Sequence, residues 1–170
     1  LYYQLYHRIK PVLEQEKGNH PALQDIWEYK EFFSRASHWI IGGDGWAYDI
    51  GFGGLDHILC SDEHVKVLVL DTQMYSNTGG QASKSTPAGA QVRFAEAGKQ
   101  TNAKDLGRYA MTLGNVYVAS INIHANPHQA VRALLEAEAY AGPSLVLCYS
   151  PCISHGYSMS ESLMHCRKAV

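Results

Sequence analysis

No apolar run in these 170 residues approaches the roughly 20 that a membrane-spanning helix needs, so no membrane role is expected. Charge is balanced as well as sparse. Fourteen Lys and Arg against 16 Asp and Glu leave a net charge of −2, which removes the electrostatic case for nucleic acid or an anionic lipid surface. The four cysteines, Cys60, Cys148, Cys152 and Cys166, are irregularly spaced and form no C-x-x-C. That excludes a disulfide framework, which a chain of this size does not need, and points to reduced thiols in a cytoplasmic protein. Cys148 falls in an apolar strand-like run, so Cys148 and Cys152 are no helical metal clip. Cys60 and Cys148 read as buried small hydrophobes. A start Met and a signal peptide are also missing, and "LYYQLYHRIK" reads as if cut from a longer chain. No internal repeat, low-complexity tract or linker interrupts the pattern.

What is present suits a globular domain with a real core: 46% hydrophobic and 18% charged residues. Leu5, Ile9, Val12 and Leu13 recur at helical spacing until Gly18, and Pro21 opens a second helical pattern through Phe33. "HWIIG" at 38–42 reads as a strand broken by "GGDG", and a helical pattern resumes over 46–60. "VKVLVLD" at 65–71 is the next strand, followed by a long polar loop. Residues 103–114 predict a helix ending on Gly114, 116–122 a strand, 127–142 a helix and 144–150 a last strand. The alternation predicts an α/β fold, a parallel sheet flanked by helices on both faces. We divide the chain into a helical lead-in over 1–36, an α/β domain over 37–150 and a C-terminal segment over 151–170. In such sheets ligands bind at the C-terminal strand ends. "GGDGWAYDIGFGG" and "DTQMYSNTGGQ" both follow strands and should lie on one edge.

A glycine-rich strand-to-helix turn suits phosphate, yet the nucleotide motifs fail. In G-x-G-x-x-G counted from Gly43, Gly45 fits but the last glycine is Tyr48. In "TGGQASKS" the P-loop glycine before Lys84 is Ser83 and the first is Thr78. Asp44 would also repel a pyrophosphate unless a cation stood between them. Asp44 offers a hard anionic oxygen of the kind Mg²⁺ takes beside substrate phosphates, and a second ligand should come from the next strand end, Thr72. The N–H groups of Gly45 and Trp46 would then reach the phosphates. A lone G-D-G is by itself an ordinary turn with a capping Asp; the polar strand-end loop one βα unit later favours metal and diphosphate.

A G-D-G followed by such a segment resembles the signature of thiamine diphosphate enzymes. "GGDGWAYDIGFGGLDHIL" and "LDTQMYSNTGGQASKSTPAGA" are similar to one branch, the pyruvate:ferredoxin (flavodoxin) oxidoreductases, specifically their C-terminal thiamine-diphosphate-binding domain. The resemblance runs from about Ile40 through "PCISHG" at 151–156. It implies Asp44 as carboxylate ligand of Mg²⁺, Thr72 as hydroxyl ligand and Met74 as carbonyl ligand. It implies that Gly43, Asp44, Gly45 and Trp46, with Thr72, Gln73, Met74, Tyr75, Ser76 and Asn77, hold the cofactor. Asn77 would lie beside the reacting ring as the catalytic residue. The "DT" at 71–72 replaces the Asn-Asn pair general among thiamine diphosphate enzymes. Cys152 corresponds to a ligand of a 4Fe-4S cluster whose other three ligands would lie outside this chain. The implied activity is oxidative decarboxylation of a 2-oxo acid, most simply pyruvate, to acetyl-CoA. Coenzyme A, ferredoxin or flavodoxin, and the other domains of a homodimeric parent enzyme are the implied partners.

Alternatives remain open: a thiamine-dependent decarboxylase or transketolase-like domain without iron, or a non-catalytic interaction module. Asp49, Asp56 and His57 read as cap or surface groups, Trp46 and Tyr48 as packing beneath the turn, and His155 as a surface histidine. Lys84 reads equally as a phosphate or carboxylate contact and as a solvated lysine. Glu63 and Glu96 carry no motif. Residues 73–90 look too small and polar to join a core, which predicts a loop mobile without cofactor.

Overall fold

The computed structural model describes residues 2–33 and 36–169. Leu1, Ser34, Arg35 and Val170, which fall within the expected lead-in and tail, lie outside the described residues. The chain divides into two compact units, Leu1–Ser37 and His38–Val170. The first holds α1 (Tyr2–Glu16), α2 (Pro21–Glu28) and a 3₁₀ turn over Lys30–Phe33. Pro21 occupies the first turn of α2, and His20 Nδ1 caps it by accepting from Ala22 N at 3.1 Å. The ammonium groups of Lys17 and Lys30 lie over the Trp27 ring, 4.4 and 4.6 Å from its centre.

The second unit is built on four parallel strands in the order β1-β2-β4-β3, with β1 at His38–Gly43, β2 at Val65–Asp71, β3 at Tyr117–Ile121 and β4 at Ser144–Tyr149. The helices α3 (Phe52–Leu59), α4 (Leu106–Thr112), α5 (Pro127–Ala139) and α6 (Ser162–Lys168) complete it. Parallel neighbours need crossovers, and connections running in opposite directions along a sheet must cross opposite faces to stay right-handed. One face packs Ile40, Val65, Val67, Val69, Leu145 and Leu147 against Leu55 and Leu59 of α3 and Leu106 and Ala110 of α4. The other packs Ile121, Val146 and Cys148 under Ala130, Ala133 and Ala137 of α5. The predicted parallel sheet with helices on both faces is the fold observed.

Two local features depart from the periodicity. The helical pattern expected over 46–60 splits into a wide π turn, Gly45–Ile50, and α3, with Gly51 N donating to Trp46 O at 2.8 Å. Bulky Trp46 lies against Gly42 and Gly51, where an added Cβ would come within 2.5 and 2.2 Å of its ring, so glycine at both positions makes room for the turn. Lys66 sits fully inside, with valines on either side of it in β2. Its Nζ donates to the carbonyls of Tyr140 and Gly142 at 2.7 and 2.9 Å, closing the turn between α5 and β4.

Candidate functional site

β1 and β2 run parallel with Gly43 opposite Leu70, so the residues that follow each strand emerge together at one sheet edge. There Asp44, only 1% exposed, meets Thr72: Oδ1 accepts from Thr72 N at 3.2 Å and from Thr72 Oγ1 at 3.0 Å. The same hydroxyl lies 3.0 Å from the carbonyl oxygen of Met74 and 2.7 Å from Ser76 Oγ. Burial drives the Asp44 carboxyl above its ordinary range, the Ser83 hydroxyl opposes the rise, and the charge of Asp71 adds to it.

Thr72 has one hydroxyl proton, and even if Ser76 donates to it, two acceptors remain for that proton, Asp44 Oδ1 and Met74 O. One proton is therefore shared between two acceptors at the same 3.0 Å. A cation relieves that shortage, and a carboxylate, a hydroxyl and a carbonyl are the hard donors Mg²⁺ takes. The spacing fits as well. Neighbouring ligands of a Mg²⁺ octahedron, with bonds of about 2.0–2.1 Å, stand about 2.9 Å apart, and the two oxygen separations here are 3.0 Å. Among the described residues no three His, Cys, Asp or Glu gather into a metal-holding group, so a cation at this edge would draw on this mixed set.

Gly45 is buried beneath Tyr75, and a Cβ there would enter the ring at 2.3 Å; the Tyr75 hydroxyl donates to Gly45 O at 3.2 Å. The opening N–H groups of the Gly45–Ile50 turn have no acceptor within a helix. Gln73 adopts a left-handed φ of 59°, held by its N–H donating to Asp71 Oδ1 at 2.9 Å and by Thr86 Oγ1 donating to its carbonyl at 2.5 Å. Gly43, Ser76 and Asn77 are exposed, Asn77 at the turn closed by Gly80 N donating to Tyr75 O at 2.8 Å. Trp46 and Tyr48 pack beneath the turn, as read. Tyr48 is buried and its hydroxyl donates to Asp71 Oδ2 at 3.1 Å; burial first, then Asp71, drives its pKa far up.

The polar loop is not the core-less segment its composition suggests. Met74, Ser83, Ser85 and Thr86 are all buried. Ser83 Oγ donates to Asp44 Oδ2 at 2.5 Å, and Ser85 Oγ lies 2.7 Å from both Asp71 oxygens. Hydroxyls here join a core because two strand-end carboxylates supply their acceptors. These serines, Thr86 and Asp71 are the site residues that sequence reading missed. The only signal was three hydroxyls in "SKST", which surface loops share. Other expectations also change. Asp49 pairs with Lys84 Nζ at 3.2 Å and accepts from Lys84 N at 3.0 Å, so both serve the loop's attachment. Asp56 accepts the Tyr109 hydroxyl, joining α3 to α4. Cys60 is exposed at the end of α3 rather than buried. His155 is exposed, but its Nε2 lies 2.7 Å from Thr72 O, tying the C-terminal segment to the site.

Cys152 follows β4 at this edge, 8% exposed and packed with Met74 and Val92. Its N–H donates to the Tyr157 hydroxyl at 2.9 Å and its sulfur accepts from Ser154 N at 3.4 Å. Burial pushes the thiol up, but the hydroxyls of Ser76 and Ser154 and the Ser154 N–H outweigh it, and the net shift is downward. Cys148, four residues earlier in the sheet, is pushed up by burial.

Residues 32–148 match the family described as thiamine pyrophosphate enzyme, C-terminal TPP binding domain. A pyruvate-flavodoxin oxidoreductase of Klebsiella pneumoniae is 56% identical over 149 residues, 88% of this chain and 13% of the relative. A pyruvate:ferredoxin oxidoreductase of Moorella thermoacetica is 57% identical over 148 residues, 87% of this chain and 13% of the relative. The chain thus spans about 13% of the length of these curated relatives. A solved 2-oxoglutarate:ferredoxin oxidoreductase of Magnetococcus marinus superposes with a TM-score of 0.63 at 24% identity, over 67% of this chain and 40% of the other, and shares its fold.

Proposed function

This chain belongs to the thiamine pyrophosphate enzymes, as their C-terminal TPP-binding domain, and from that premise we propose that it anchors Mg²⁺ and the cofactor's diphosphate in a pyruvate:ferredoxin or pyruvate:flavodoxin oxidoreductase. One observation carries the metal assignment: a single Thr72 hydroxyl stands 3.0 Å from both Asp44 Oδ1 and the Met74 carbonyl, a spacing and donor set suited to Mg²⁺. Asp44, Thr72 and Met74 would hold the metal. Gly43–Trp46 and Thr72–Asn77 would flank the diphosphate, with Gly45 leaving room for the Tyr75 ring against the turn. Asn77, at the exposed loop tip, would face the reacting end of the cofactor. When bound, thiamine diphosphate supplies the electron sink that a 2-oxo acid needs to lose its carboxylate.

The acceptor side rests on Cys152. A buried sulfur with a lowered pKa, supplied with hydrogen bonds from Ser76 and Ser154, suits a thiolate ligand of a 4Fe-4S cluster. The other ligands would come from the rest of a parent several times longer than this chain. The identities near 56% to enzymes named for pyruvate and for ferredoxin or flavodoxin support that substrate and those partners. Acetyl-CoA formation, a homodimeric parent and a cytoplasmic setting belong to the same proposal.

In the full-length protein, Asp44→Ala removes the only carboxylate of the proposed metal set. Thiamine diphosphate should then no longer be retained through gel filtration in the presence of Mg²⁺, while the wild type retains it. Equal retention by both would refute the metal assignment.

A further inference from the structure

We infer that Ser83 makes the Asp44 site selective for a small octahedral cation, by occupying the carboxylate oxygen that a larger ion would take. The inference rests on the metal reading above and extends it to a residue outside the ligand set.

The argument begins with a count of protons. Ser83 Oγ lies 2.5 Å from Asp44 Oδ2 and 3.5 Å from Thr86 Oγ1, and it accepts from Ser85 N at 3.1 Å. Thr86 spends its own proton on Gln73 O at 2.5 Å and accepts from Ser83 N at 2.9 Å. With the Thr86 proton committed to Gln73 O and the Ser85 N–H donating to Ser83 Oγ, the Ser83 proton goes to Asp44 Oδ2, its nearer and only charged acceptor. Ser83 is 3% exposed and Asp44 1%, so water does not compete for that oxygen. A hydrogen bond to a buried carboxylate is short and strong.

The consequence falls on the ligand set. With Oδ2 held by Ser83, Asp44 presents Oδ1 alone towards Thr72 and Met74. Mg²⁺ accepts one oxygen per carboxylate in a tight octahedron, whereas Ca²⁺ takes six to eight oxygens at about 2.3–2.6 Å and readily binds both oxygens of one carboxylate. Ser83 removes that second oxygen from the ligand set. It is a positioning residue, since it acts on the cation through Asp44.

The test measures Mg²⁺ and Ca²⁺ affinities separately for the full-length protein with thiamine diphosphate added, by titrating each cation into the metal-stripped protein in a calorimeter. Ser83→Ala frees Oδ2 and should raise the ratio of Ca²⁺ to Mg²⁺ affinity by about tenfold, the size of one hydrogen bond to a charged group. Ser83→Thr keeps the hydroxyl and should keep the wild-type ratio, which a general loss of packing would not explain. Should Ser83→Ala fail to fold, Ser83→Cys preserves volume with a weak donor and should shift the ratio in the same direction. An unchanged ratio in the Ala or Cys variant, with metal still bound, overturns the role of Ser83 and leaves the metal site standing. A wild type that binds neither cation with the cofactor overturns the metal reading, and this inference with it.

Discussion

At the scale of single residues, two cysteines four positions apart have opposite surroundings. Cys148 lies under α5 in the sheet, where burial favours the neutral thiol. Cys152 lies just beyond the strand end, where hydroxyl and amide donors favour the thiolate. An iron–sulfur ligand must be a thiolate, so exchange of sulfur for a hydroxyl should matter at one position and not at the other. In the full-length protein, Cys152→Ser should lower iron content by up to the share of one cluster and slow ferredoxin reduction, while Cys148→Ser leaves iron content unchanged. Full iron and an unchanged reduction rate in the Cys152 variant would favour an iron-free, decarboxylase-like parent.

At the scale of elements, the long loop after β2 behaves as a layer of the site rather than as a tether. Thr86, 1% exposed, accepts the Ser83 N–H and donates to the Gln73 carbonyl, so one side chain ties both arms of the loop. Valine has nearly the same shape and neither hydrogen-bonding function. Thr86→Val leaves a buried N–H and a carbonyl without partners, a cost of about 1–3 kcal/mol for each group so stranded. Amide hydrogen exchange in the full-length protein should show Ser83 and Ser85 protected in the wild type, even before cofactor is added. In the variant, exchange at both should quicken by about tenfold or more. Unprotected wild-type amides at these positions would restore the mobile loop that composition suggested.

At the scale of the whole molecule, α5 covers only part of its face of the sheet. In the β1–β2 half, Ile41 is 62% exposed and Leu70 41%, although parallel sheets ordinarily have both faces covered. Among the described residues β1 is also an edge strand, paired in the sheet with β2 alone. The isolated 170-residue chain should therefore self-associate at micromolar concentration, and Ile41→Lys should reduce that association in sedimentation velocity. A wild-type chain that stays monomeric across the concentration range would show that the exposed half-face is no liability. Among the described residues, no helix is long and apolar enough to cross a membrane.

The sequence by itself determined the order of the four strands and of the helices up to α5, though not α6, because hydrophobic period and Gly or Pro punctuation act over a few neighbours. It also determined that Asp44 and Thr72 stand at strand ends, and parallel pairing then brings them to one edge. The wide turn at Gly45–Ile50 was not legible, since a π turn differs from an α-helix by one hydrogen-bond step that period does not resolve. Nor were Ser83, Ser85 and Thr86. Small hydroxyl residues prefer surface loops unless an acceptor waits inside, and theirs, Asp44, Asp71 and the Gln73 carbonyl, belong to segments the chain brings beside them only on folding. Lys66 is the same case, its carbonyl partners lying at the far end of α5. Only the tertiary structure decided which polar groups are inside, because burial of a polar group is set by its partner's position and not by its own type.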